Sequence, residues 1–287
     1  MKKIRYIVGL LWLVGTISAQ DISITSSSKE LEKGFEWAKE KAHSFVVTGK
    51  KGPVNISDVN GKSDSVDYIP SYWAGYPLRT AFYSRDFCHQ ISGAHLLGLE
   101  EENFTMMKAF AASANASRKW YPLWAINFDG SPYLLDYNND NDFVREVPAT
   151  FELVEKAYKL YLWTGDKRYL EDELLWNYYT KAVTEFITLH DEKIPNGIAE
   201  GTGEGNIFKG AATFNEQQDV PLIEAGDGIA CQYAAFVAYA EMAKLRGMTV
   251  LSEEFFKKAE GLKNYFNTVW GVKDTDLYNR GYISEDK

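Results

Sequence analysis

The sequence is poor in the residues that most reactive or metal-binding sites need. It has 2 cysteines and 4 histidines in 287 residues, and it lacks the HExxH, CxxC and GxSxG motifs. These absences argue against a zinc-protease site, a dithiol redox site and a serine-hydrolase elbow. Because Cys88 and Cys231 both lie in apolar helical patterns, we expect buried free thiols rather than a disulfide.

A long hydrophobic run is also missing, except at the N-terminus. Residues 1–19 have a basic start (Lys2, Lys3, Arg5), an apolar stretch and a small residue, Ala19, at the end. This pattern predicts a secretory signal peptide and a periplasmic or extracellular protein. No later stretch is apolar enough to predict membrane insertion after signal cleavage. The net charge of −9 disfavours nucleic acid as a partner.

Signals for β-strands are nearly absent, whereas apolar residues recur at helical spacing. Three segments, 81–120, 147–190 and 226–270, each predict a helix, a tight turn and a second helix. The turns lie at Gly98, Gly165 and Gly247. A further helix is predicted over 28–47, as part of a preceding unit.

The two helices of each predicted hairpin differ in composition. The first is richer in Ala, Leu and aromatic residues and the second in Lys and Glu, so we expect an inner and an outer helix. Hairpins of this kind close into an all-α (α/α) toroid, whose long loops gather above the N-termini of the inner helices. Six hairpins would need on the order of 400 residues. Residues 20–287 therefore predict about three and a half hairpins of one C-terminally truncated domain. An open α-solenoid is the alternative, but its connections are usually shorter.

Charged side chains precede each predicted inner helix. They are Arg85 with Asp86, Arg145 with Glu146, and Glu224 with Asp227. An acid at a helix N-terminus stabilises the helix by about 0.3–1 kcal/mol, which is a sufficient structural reason for any one acid. An arginine there is electrostatically unfavourable, and two of the three pairs contain one. Three such pairs on one rim therefore predict a binding site for a polar ligand.

The loops predicted at this rim combine aromatic rings with acids. The candidate ligand-binding residues in them are Trp73, Trp124, Asp136, Tyr137 and, in a glycine-rich loop that also holds Glu200, Glu204. Aromatic faces stack on sugar rings, and Asp, Glu and Arg bond to hydroxyl groups, so the expected ligand is an oligosaccharide or polysaccharide.

A metal site receives little support. His89 and His95 are six residues apart, which places them on different faces of a helix. The run DYNNDND at 136–142 could form a calcium loop, although it lacks the glycine and final glutamate of an EF-hand. We therefore expect no cofactor, with calcium as the one ion left open.

The segment FYSRD at 82–86 resembles the six-hairpin glycosidase superfamily, because an aromatic-x-Arg-Asp sequence there opens an inner helix between acid-rich loops. The resemblance implies a glycoside hydrolase of glucoamylase-like type in which Arg85 and Asp86 bind the sugar. It implies a general acid before a later inner helix, here Glu224 with Asp227 one turn on, and a general base beyond Lys287. Glu146 and Glu200 are rival acids.

Three functions stay open at this stage. Glycoside hydrolysis needs two carboxyl groups on opposite sides of the scissile bond. A polysaccharide lyase or epimerase on the same toroid would need a Tyr, His or Lys base, and Arg85 or Arg145 could neutralise a uronate. A non-catalytic sugar-binding protein is the third. The sequence does not indicate the oligomeric state.

Overall fold

The computed structural model describes residues 22–56, 64–76, 78–202, 211–214 and 222–283. The helices in these ranges are α1 (Lys29–Ser44), α2 (Ser84–Leu96), α3 (Glu100–Ser113), α4 (Val147–Thr164), α5 (Arg168–Glu171), α6 (Glu173–Val183), α7 (Glu185–Leu189), α8 (Gly226–Leu245) and α9 (Thr249–Val269). The strands are β1 (Lys51–Gly52), β2 (Val66–Asp67), β3 (Ala81–Tyr83), β4 (Ala125–Asn127), β5 (Tyr137–Asn139), β6 (Asp142–Phe143), β7 (Glu224–Ala225) and β8 (Gly281–Tyr282).

The helices form three hairpins arranged in an arc. Helix α2 packs against α4, and α4 packs against α8, so these are the inner helices. The outer layer holds α3, α6 and α9, with α3 against α6 and α9 against α8. The prediction of an all-α fold of inner and outer hairpin helices is thus confirmed, and the arc has the layering of an α/α toroid.

The turns of the hairpins lie at the predicted glycines. Gly98, Gly165 and Gly247 have φ values of 76°, 67° and 77°, a left-handed conformation that glycine adopts without a steric penalty. Phe87, Phe110 and Phe151 are fully buried between the two helical layers and belong to one continuous core. The hairpins are therefore stabilised by packing that the helical periodicity had indicated.

Two helix boundaries differ from the predictions. The second hairpin has no continuous outer helix over 167–190, because Asp172 caps α6 by accepting from the amides of Leu174 and Leu175, and Thr184 is non-helical. Helix α3 ends at Ser113 rather than near Trp120, since Ala114 is extended. Such breaks depend on local capping bonds that apolar periodicity does not report.

Short strands lie where two of the inner helices begin. Residues 81–83, predicted as helix, instead form β3, which pairs with β4 and leads directly into α2. Likewise β7 pairs with β8 and leads into α8. The segment 211–214 lies beside the start of α4, because the amide of Val147 donates to the carbonyl of Ala211. These pairings fix the loops against the helix N-termini.

Both cysteines are free, as expected; Cys88 is buried and Cys231 is half-buried. Among the residues that the structure describes, no helix has the length and apolar character of a membrane span. The proposed signal peptide at 1–19 lies outside the described residues.

Candidate functional site

The side chain of Arg85 joins the three inner helices at their N-terminal rim. It stands in the first turn of α2 and forms a two-point ion pair with Glu152 of α4, with Nε–Oε2 at 3.1 Å and Nη2–Oε1 at 3.2 Å. The guanidinium also lies 3.5 Å from a carboxylate oxygen of Glu146 and 3.7 Å from one of Asp227. We call these four residues the Arg85 cluster.

Asp227 is the most accessible acid of the Arg85 cluster. Its side chain is 36% exposed, against 2% for Glu146 and 9% for Glu152. The hydroxyl of Thr213 donates to Asp227 Oδ2 at 2.9 Å, which fixes the orientation of the carboxylate. Asp227 thus presents the surface of the cluster to a ligand, while Glu146 and Glu152 hold Arg85 from below.

The cluster has three carboxylates and one guanidinium. Burial by itself lowers the pKa of Arg85, but Glu152 and Glu146 outweigh burial and raise this pKa above its usual value. One oxygen of Glu146 and one of Glu152 both approach Arg85 Nε, at 3.5 Å and 3.1 Å, so these two carboxylates lie close together. The arrangement can accept hydrogen bonds from hydroxyl groups and can hold or deliver a proton.

A second group of side chains surrounds Tyr83, the last residue of β3. Arg79 Nη1 donates to the Tyr83 hydroxyl at 2.7 Å, and this hydroxyl lies 3.4 Å from Asp136 Oδ2. The ring of Trp124 packs edge-on against Tyr83, with centroids 4.8 Å apart. Burial raises the pKa of Asp136 to about 6, although Arg79 opposes the shift. We call Arg79, Tyr83 and Asp136 the Tyr83 cluster.

Glu224 and Glu200, two of the predicted catalytic acids, make contacts of another kind. Glu224 is fully buried in β7 and accepts from Asn196 Nδ2 at 2.6 Å, and the same amide group lies 3.2 Å from the hydroxyl of Tyr265 on the outer helix α9. Glu200 accepts backbone hydrogen bonds from Lys193 and Ile194. Both carboxylates thus form hydrogen bonds with the loop before α8, and their predicted catalytic roles stay predictions.

The predicted binding residues of the second loop mostly stabilise that loop. Arg145 is buried against the ring of Phe143, 4.8 Å from its centroid, and also faces Tyr121. The hydroxyl of Tyr137 donates to Asp140, which also pairs with Arg118. Hydrogen bonds from the hydroxyls of Ser117 and Tyr137, and then the contact with Arg118, lower the pKa of Asp140.

The acids of the DYNNDND run have separate partners. Asp136 belongs to the Tyr83 cluster, Asp140 pairs with Arg118, and Asp142 accepts from Asn138 Nδ2 at 2.7 Å. In the described part of the chain, no group of three or more His, Cys, Asp or Glu side chains is placed to hold a metal ion.

The remaining predicted residues lie near the rim in different settings. Trp73 packs edge-on against Phe128, with centroids 4.9 Å apart. Asp86 is exposed in the first turn of α2, where it suits the helix dipole. The exposed imidazole of His89 lies 3.6 Å from Glu152 Oε1. Glu204 lies outside the described residues.

Sequence reasoning missed Glu152, Arg79 and Thr213. Glu152 had one detectable signal, since an acid between Phe151 and Leu153 in an otherwise apolar helical stretch is costly to bury without a cation. Arg79 and Thr213 reach the rim only through the pairing of β3 and of the segment 211–214. No helical pattern in the sequence announces those contacts.

No protein-family model and no curated protein sequence matches the chain. Among solved structures, the chain is similar to cellobiose 2-epimerase from Bacillus thermoamylovorans B4167, with 13% identity over 75% of this chain and 53% of that chain, at a TM-score of 0.49. It is also similar to a bacterial glucoamylase complexed with acarbose, with 12% identity over 71% of this chain and 24% of that chain, at a TM-score of 0.40. The chain thus spans about half the length of the epimerase. At this identity the similarities assign neither a family nor the role of any residue.

Proposed function

We propose that the protein is a carbohydrate-active enzyme, and that the Arg85 cluster binds a saccharide and takes part in hydrolysis of its glycosidic bond. The observation that carries the proposal is a contact among three hairpins. Arg85 of the first hairpin meets Glu146 and Glu152 of the second and Asp227 of the third. Buried charges are costly to bring together, and such an arrangement needs a reason beyond helix stability.

The chemistry of the cluster supports this function. Hydrolysis needs one carboxyl group that can donate a proton and a second that activates water or attacks the sugar. Asp227 is the candidate that reaches the ligand, and Glu146 is the candidate partner. Arg85, fixed by Glu152, would hold a sugar hydroxyl or oxygen in place. In this assignment Glu224 and Glu200 position the loops, which replaces the catalytic roles expected from the sequence.

Product analysis tests the proposal. The chain is incubated with a panel of oligosaccharides, and new reducing ends are measured. Asp227→Asn and Glu146→Gln are each expected to reduce turnover by about 100-fold or more, the scale of a lost general acid or base. The matched control is Glu173→Gln, because Glu173 is an exposed acid of the outer helix α6. Turnover unchanged in both rim variants would refute the assignment.

An epimerase or lyase is the second candidate, and His89 is the observation that favours it. Its imidazole is exposed and lies 3.6 Å from Glu152, so it could remove a proton next to a carbonyl or carboxylate group. A lyase would give products whose new C=C bond absorbs in the ultraviolet. An epimerase would change the configuration of a sugar without producing new reducing ends. Loss of either activity in His89→Gln would identify this function.

The basic and apolar segment at 1–19 supports export to the periplasm or the extracellular space. No cofactor is required by the chemistry proposed for the Arg85 cluster.

A further inference from the structure

Two arginines near the rim, Arg85 and Arg145, already contact other groups of the protein. Arg85 is surrounded by carboxylates of Glu146, Glu152 and Asp227, which offset its charge. Arg145 is only 5% exposed and packs against Phe143. Either arginine would have to leave these contacts before it could bind an anion of the substrate.

Arg79 differs from these two arginines in the groups that surround its guanidinium. Its guanidinium lies between two tyrosine rings, 5.8 Å from the centroid of Tyr76 and 5.7 Å from that of Tyr83. It is half-buried, and Tyr76 beside it is exposed. In the described part of the chain, Arg79 donates to the neutral hydroxyl of Tyr83 and has no carboxylate within 4 Å. A guanidinium has five N–H donors, so Arg79 has donors beyond the one that bonds to Tyr83.

The Tyr83 cluster and the Arg85 cluster meet at the same end of α2, since Tyr83 directly precedes this helix and Arg85 lies in its first turn. Gly75 touches the Tyr83 ring so closely that an added Cβ would lie 2.4 Å from Tyr83 Cδ2. Gly75 also lines a cleft of about 600 Å³ between α1 and α2, together with Trp73 and His89. His89 in turn lies 3.6 Å from Glu152 of the Arg85 cluster. A ligand at the N-terminal end of α2 therefore lies near both clusters.

We propose that Arg79 binds an oxyanion of the saccharide, a carboxylate or a sulfate group, so that the rim selects an anionic sugar. This inference rests on the proposed carbohydrate function. The paired N–H donors of a planar guanidinium match such a group in a two-point, charge-assisted hydrogen bond. The acids of the Arg85 cluster would repel an anion, whereas the guanidinium of Arg79 would bind it outside that cluster.

The test compares three ligands on the full chain: a disaccharide with a terminal glucuronate, its glucose counterpart and its sulfated counterpart. Dissociation constants are measured by calorimetry for the unmodified protein, Arg79→Gln and Arg79→Lys. The control variant is Arg168→Gln, since Arg168 also stacks on a ring, that of Phe104, but pairs with Glu101 on the outer surface.

The unmodified protein is expected to prefer at least one anionic ligand over the neutral one by about 10- to 100-fold, the scale of a charge-assisted pair. Arg79→Gln should abolish the preference, and Arg79→Lys should retain part of it because the charge remains without the fork. Arg168→Gln should keep the full preference. The carboxylate and sulfate ligands show which oxyanion is bound.

Two results would overturn the inference. One is equal affinity of the unmodified protein for the neutral and both anionic ligands. The other is an unchanged preference in both Arg79 variants. A third result would overturn this inference and leave the proposed function standing. In that case a neutral sugar binds, a change of Arg85 abolishes its binding, and a change of Arg79 has no effect. If the protein binds no saccharide of a wide panel, the proposed function and this inference are both wrong.

Discussion

Arg85 and Glu152 form a two-point ion pair between the first turn of α2 and the second turn of α4, with both N–O distances close to 3 Å. The pair connects two hairpins at the rim, where the Glu152 side chain is 9% exposed. Glu146 also approaches Nε of Arg85, and Asp227 approaches Nη1. A change in Glu152 should therefore affect both the stability of the arc and the geometry of the proposed site.

The first prediction concerns the stability supplied by this pair. Glu152→Ala should lower the free energy of unfolding by about 3 kcal/mol, because it leaves a partly buried arginine without its main partner. The matched control is Glu101→Ala, since Glu101 forms the same two-point pair with Arg168, but both side chains are about half exposed. The control should lose less than about 1 kcal/mol. Urea unfolding measures both, and equal losses would contradict a special role of Glu152.

The second prediction concerns Gly228 in the first turn of α8. A Cβ at this position would lie 2.7 Å from the carbonyl oxygen of Ala212, so Gly228→Ala should push the segment 211–214 away from the helix. Thr213 would then lose its bond to Asp227. We expect a lower melting temperature and reduced turnover.

Gly261→Ala is the control for this prediction. Gly261 lies in helix α9, and nothing lies within 4 Å of an added Cβ. Alanine favours a helix by about 1 kcal/mol over glycine, so this variant should be more stable than the unmodified protein. A melting temperature that rises in both variants would show that the contact of Gly228 with Ala212 does not matter.

The third prediction concerns the pH dependence of stability from Asp136. Burial raises its pKa in the folded protein to about 6 from 3.8. The folded state then binds this proton more tightly than the unfolded state does. The resulting contribution to the free energy of unfolding is fully present below about pH 4 and is lost as the pH rises through about 6. Asp136→Asn should remove up to about 3 kcal/mol of this dependence. Unfolding curves at several pH values measure it, and Asp276→Asn, at an exposed loop position, serves as the control.

The charged groups around Asp136 are consistent with that sign. Arg79 lowers its pKa, as does the hydrogen bond from Tyr83, but burial has the larger effect. If the unmodified protein and Asp136→Asn keep a constant difference in stability between about pH 4 and pH 7.5, Asp136 is ionised in the folded state throughout this range.

The fourth prediction concerns the two thiols. Burial raises the pKa of Cys88 well above its usual value and also raises that of Cys231, with Glu152 as a second cause in both. A thiol that stays protonated is a poor nucleophile. Titration with a thiol reagent near neutral pH should be slow in the folded protein and give two equivalents after unfolding. Rapid reaction of two equivalents in the folded state would contradict the buried environment.

The hairpins could be predicted from the sequence because two local signals agree. Apolar periodicity gives the inner faces, and Gly98, Gly165 and Gly247 end the first helices in the conformation that glycine favours. The short strands were not predicted, because two- and three-residue pairings such as β3 with β4 depend on contacts between distant segments. Their sequence carries no period of its own.

The candidate site could be predicted only in part for the same reason. Arg85, Glu146 and Asp227 lie at helix starts, and three helix starts on one rim bring them together. Glu224 was the favoured acid, yet the alternation of side chains along β7 directs its carboxylate toward Asn196 rather than toward Arg85. Glu152 lies inside a helix, where only the path of α4 past α2 gives it Arg85 as a partner.

The central claim is that a saccharide binds at the Arg85 cluster. A crystal structure of the Asp227→Asn variant with a bound oligosaccharide tests it most directly, because the variant should bind substrate without turning it over. The account predicts a sugar ring within hydrogen-bond distance of Arg85 and residue 227. A sugar bound elsewhere on the chain, with the Arg85 cluster unchanged and unoccupied, would contradict it.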